Sequence, residues 1–90
     1  MKTFVITIPE TFAGDLMALD LYRQINRAFS EYENVVIDWQ HKIVVGSTYH
    51  YFLELLRLNY GASYRDKLAY VNVSEAAKTT MQMIAKGLGK

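Results

Sequence analysis

Cysteine is absent from the 90-residue chain, which excludes a disulfide framework, a zinc ribbon and thiol chemistry. Only two histidines, His41 and His50, remain as imidazole ligands, and no cluster of carboxylates accompanies them in sequence, so no metal and no other cofactor is expected. Proline occurs once and glycine five times, with no Gly/Pro/Ser-rich stretch to act as a linker, so residues 1–90 read as one domain. An excess of one charge is also missing. Ten basic against nine acidic side chains leave a net +1, and non-specific nucleic-acid binding finds no support. The two halves differ mildly, −2 over residues 1–45 and +3 over 46–90, as solvated faces do. Apolar runs reach only a few residues, and Met1-Lys2-Thr3 enters a strand-like segment directly rather than a leader. The expectation is a cytoplasmic protein that neither spans nor sits on a membrane. With 51% hydrophobic residues the chain is too apolar for disorder.

What is present is an apolar period that switches between two and about 3.6 residues. Thr3-Phe4-Val5-Ile6-Thr7-Ile8 is β-branched and aromatic, stops at Pro9 and predicts a strand. From Gly14 a helix is predicted, with Ala18, Leu21, Tyr22, Ile25, Ala28, Phe29 and Tyr32 on its apolar face. Asn34-Val35-Val36-Ile37-Asp38-Trp39 is nearly continuous in apolar character, which predicts a parallel strand covered on both sides. His41-Lys42-Ile43-Val44-Val45-Gly46 fits either a short strand or an extended approach to the next helix. Ser47 reads as the N-cap of that helix, which runs to Tyr60 and stops at Gly61. After a polar loop, residues 67–73 read as the last strand, and Ser74 caps a helix that buries Ala77, Thr80, Met81, Ile84 and Leu88. Strand and helix thus alternate three times, predicting an α/β fold with a small, mostly parallel sheet.

Catalytic signatures are missing. No glycine-rich phosphate loop follows the first strand, and no Gly-x-Ser-x-Gly elbow surrounds Ser47, whose neighbours are Val45-Gly46 and Thr48-Tyr49. The chain is therefore expected not to be an enzyme. Its seven Tyr and four Phe fall at core-periodic positions, and Lys78, Lys86 and Lys90 read as the solvated side of the last helix.

One constellation is more specific. An apolar strand ends in Asp38, a loop follows, and Gly46-Ser47-Thr48 opens an amphipathic helix. A later strand, Leu68-Ala69-Tyr70-Val71-Asn72-Val73, then leads into Ser74 and the closing helix. Over about residues 14–88 this resembles the STAS domains (sulfate transporter and anti-sigma-factor antagonist), in particular their divergent STAS-like members of unknown function. Gly46 and Tyr49 stand where the family carries Asp and Gly, and the hydroxyls of Ser47 and Thr48 are retained. The resemblance implies a bacterial regulatory module that binds a protein, an anti-sigma-type or histidine-kinase-like ATPase, with Ser47 and then Thr48 as phosphoacceptors. It places the contact surface at Asp38, Gly46, Tyr49 and the Ser47 end of the helix, together with the second apolar row Tyr51, Leu55 and Leu58. That row also predicts self-association or partner binding on general grounds. A rival reading follows if residues 43–45 pair antiparallel with residues 35–39. The fold is then a ferredoxin-like α+β sandwich, typical of dimeric small-ligand sensors or subunits, although Gln40-His41 is poor hairpin chemistry.

Overall fold

Strand and helix alternate through the computed structural model, which describes residues 2–88. In chain order the elements are β1 (Thr3–Thr7), α1 (Asp15–Phe29), β2 (Asn34–Asp38), α2 (Gly46–Tyr60), a 3-10 turn (Ser63–Asp66), β3 (Leu68–Val71) and α3 (Glu75–Leu88). The sheet order is β1-β2-β3 and both pairings are parallel, with Ile6 opposite Ile37 and Ile37 opposite Tyr70. The fold is α/β, as the alternation predicts. The ferredoxin-like alternative fails because both neighbours of β2 run parallel to it. Gln40 and His41 take left-handed backbone (φ 52° and 56°) and turn the chain away from β2. Residues 43–45 meet Phe12 instead, through one parallel bridge to Val44 and the bonds Phe12 N–H to Ile43 O (2.8 Å) and Val45 N–H to Phe12 O (3.0 Å).

Strand order that equals chain order has a geometric consequence. Each right-handed crossover deposits its helix on the same side of the sheet, so the opposite side receives none. Ile6, Val35, Ile37 and Trp39 point into the helical layer and are buried, while Val5 and Val71 on the other side are 55% and 41% exposed. This corrects the expectation that β2 is covered on both sides: Val36 is only half-buried. The apolar run reflects a central strand with one bare face, on which Val36 stands between Asn34 and Asp38, and such a face tolerates valine without requiring cover.

The core is aromatic at its centre. Phe12, Trp39 and Phe52 are fully buried, and the Phe12 ring meets the other two edge-on at 5.2 and 5.9 Å. Around them pack Leu21, Ile25 and Ala28 of α1, Leu53 and Leu56 of α2, and Ala77 and Met81 of α3. The Trp39 indole N–H has no hydrogen-bond partner among the described residues. Helix α1 stops at Phe29, where the Ser30 hydroxyl donates to the Arg27 carbonyl (2.7 Å). Tyr32 therefore leaves the helical stripe and packs on Phe4 at 5.0 Å. Gly61 ends α2 at φ 62°, ψ −139°, a conformation open to glycine, and its N–H reaches the Arg57 carbonyl (2.9 Å). Ser74 caps α3, its Oγ accepting the Ala77 N–H at 3.2 Å. Of the predicted α3 face, Thr80 and Ile84 are half-buried, and the Leu88 side chain lies outside the described residues. No helix among the described residues is long and apolar enough to cross a membrane.

Candidate functional site

In a parallel sheet every strand ends at the same edge, and every following helix begins there, so loops from distant parts of the sequence gather at one rim. The rim here is cross-tied. Asp38, the last residue of β2, accepts the Gln40 backbone N–H (3.0 Å) and the Asn72 side-chain amide (2.9 Å) on one carboxylate oxygen. The Asn72 bond, followed by that of Gln40, holds the Asp38 carboxyl below the usual carboxylate range. The Asn72 carbonyl in turn accepts the His41 N–H at 2.8 Å. Gln40, His41 and Asn72 all have positive φ, and Asn and His adopt this region more readily than most residues. Two loops 34 residues apart are thereby locked together just beyond the strands.

The start of α2 is fixed from the other side. The Thr48 Oγ1 accepts the Gly14 N–H at 2.7 Å across 34 residues, with Gly14 at φ 90° and Thr48 buried. This corrects the reading of Ser47 as N-cap. The Val45 carbonyl accepts the first helical N–H, from Tyr49 at 3.0 Å, so Val45 is the cap residue and no side chain caps the helix. Phe12, by holding residues 43–45, starts the helix earlier than the sequence suggests. Ser47 consequently lies in the first turn, exposed, with no hydrogen-bond partner for its hydroxyl among the described residues.

The predicted site residues divide into three groups. Asp38 and Gly46 stand at the rim, Gly46 facing α3 so closely that a Cβ added there would lie 3.4 Å from Ile84 Cδ1. Thr48 and Tyr49 are interior. Tyr49 packs on Trp39 at 6.2 Å, and its hydroxyl bonds that of Tyr70 at 3.0 Å. Burial pushes the Tyr49 phenol up to about 12 and Tyr70 well above its ordinary value. Ser47, Tyr51, Leu55 and Leu58, spaced four, four and three apart, share one side of α2: Ser47 and Leu58 are exposed, Tyr51 and Leu55 half-buried. His50 pairs with Glu54 at 3.3 Å on the outer surface. Among the described residues no three His, Asp or Glu side chains converge as metal ligands would.

No family model, curated protein or solved structure matches this chain. Its chemistry has to be read from its own residues. Sequence reasoning placed Asp38 and the Asn72 strand in one pattern but missed that the two side chains meet. It also missed the Thr48–Gly14 tie and the Tyr49–Tyr70 pair. An Asn directly after an apolar strand, tolerant of left-handed backbone, is the signal that points to the first of these.

Proposed function

We propose that the chain is a non-enzymatic, STAS-like protein-binding module of the cytoplasm, whose partner is a histidine-kinase-like ATPase and whose contact surface is the Ser47 side of α2. The observation that carries this reading is the accessible stripe Ser47–Tyr51–Leu55–Leu58, which begins at a hydroxyl without a partner among the described residues and ends at a leucine 82% exposed. A stripe of this kind presents aromatic and aliphatic contacts to a partner, with one modifiable group at its head. A phosphate on Ser47 would stand in the first turn of α2, beside helical N–H groups that lack intrahelical acceptors and at the positive end of the helix dipole. The domain itself would tolerate it. A partner docking there would meet about two added negative charges, so modification switches binding and leaves the fold intact. Thr48 is set aside as acceptor, because reaching its hydroxyl would mean breaking the tie to Gly14.

The test is a calorimetric titration of a histidine-kinase-like ATPase, recovered with the chain from its native cells, against the wild type, Ser47→Ala, Ser47→Asp and Leu58→Lys. Ser47→Asp and Leu58→Lys are expected to weaken binding at least about ten-fold while melting like the wild type, since both sites are exposed. Mass spectrometry after incubation with ATP is expected to find phosphate on Ser47. If all four proteins bind alike and Ser47 stays unmodified, the proposal fails.

A further inference from the structure

At the opposite rim of the sheet, where α1 and α2 end and β3 begins, lies an open cleft of about 710 Å³. Its walls carry Arg23 and Arg27, one turn apart on α1, and Lys67, which leads into β3. Among the described residues no carboxylate lines it, and none of these three cations forms an ion pair. Lys67 instead stands over the Phe29 ring at 5.8 Å. The Asn26 amide oxygen is engaged by the Tyr60 hydroxyl, which leaves the amide N–H groups as donors.

Helix C-termini usually repel anions through their unpaired carbonyls. Here two of those carbonyls are occupied: the Ser30 hydroxyl donates to Arg27 O (2.7 Å) and the Ser63 hydroxyl to Tyr60 O (2.6 Å). What the cleft offers is positive charge, N–H donors and aromatic walls. Its volume decides the size of what it takes. A bare phosphate would fill a small part of it, whereas clefts of about 300–1,000 Å³ hold small organic molecules.

We propose that this cleft binds a small organic polyanion, a molecule with two or more phosphate or carboxylate groups, through Arg23, Arg27 and Lys67. The site is separate from the Ser47 side of α2 and does not depend on that reading.

The test is an amide NMR titration of the full chain with fructose 1,6-bisphosphate, citrate, inorganic phosphate and unphosphorylated fructose. Saturable shifts confined to residues 23–30 and 60–67 are expected with the bisphosphate or citrate, weaker ones with phosphate and none with fructose. The ranking of bisphosphate against citrate distinguishes the two anion chemistries. Arg27→Gln and Lys67→Gln should each lower affinity about ten-fold while the rest of the spectrum is preserved, as loss of one charge-assisted contact does. Arg23→Gln offers a third variant should one of these fail to fold. Ser47→Asp should bind as the wild type does. The proposal is overturned if no anion shifts these amides, if the variants bind unchanged, or if a single-stranded RNA oligomer binds more tightly with shifts spread beyond the cleft.

Discussion

Two adjacent hydroxyls on α2 have opposite fates, and their substitution separates them. Thr48→Val leaves the Gly14 N–H without its acceptor and should cost about 1–2 kcal/mol, read as a lower melting temperature with an unchanged circular-dichroism spectrum. Ser47→Ala should stay within about 0.5 kcal/mol of the wild type, because Ser47 caps nothing. The buried phenols give a pH signature. The unfolded chain ionises Tyr49 near its ordinary value of 10.0, and the folded protein holds that proton until about 12. The contribution to stability is therefore complete below pH 10 and is lost as the pH rises toward 12, with Tyr70 acting in the same direction. Chemical denaturation from pH 8 upward should show a decline that is shallower in Tyr49→Phe. Such residue-level ties were the least legible part of the sequence. A side-chain bond that spans 34 residues depends on where the rest of the fold brings its two partners, and Gly14, Asp38, Thr48 and Asn72 all lie at or just beyond the ends of elements, where the apolar period says least.

Among the elements, the helices and strands were legible because each has its own period, and the caps at Gly61 and Ser74 follow from local chemistry. Helix α2 was placed two residues late, with Ser47 read as the cap in place of Val45, since its true start is set by a tertiary tie to Phe12 rather than by a capping side chain. In β2 the misreading was of cover, not of existence. An unbroken Val-Val-Ile run identifies a central strand but does not say how many of its faces meet helices. The two faces can be told apart by substitution. Ile37→Ala, in the sealed layer, should cost about 2–5 kcal/mol, while Val36→Thr, half-buried on the bare side, should stay below about 1 kcal/mol. Urea denaturation of both variants measures the difference. A Val36→Thr loss as large as that of Ile37→Ala would mean that something covers the bare face in solution.

At the scale of the molecule, the sheet formed by the described residues is a ladder of three rungs in which only β2 is paired along both edges. Amides of Val36 and Ile37 should accordingly exchange with solvent at the slow, global rate, and those of β1 and β3 sooner, a ranking that hydrogen exchange followed by NMR reads directly. The helices are layered on one side in the order in which they occur, with α2 between α1 and α3. Because no later segment has to insert between two earlier ones, the sheet can be assembled in the direction of synthesis. The first strand, helix and second strand form a unit whose pairing is complete in itself once residue 38 has left the ribosome. The 30 residues from there to Leu68 take about 1.5–6 s to be added, at about 5–20 residues per second. During that interval the waiting edge of β2 is the adhesive part of the nascent chain, and arrival of the third strand closes it.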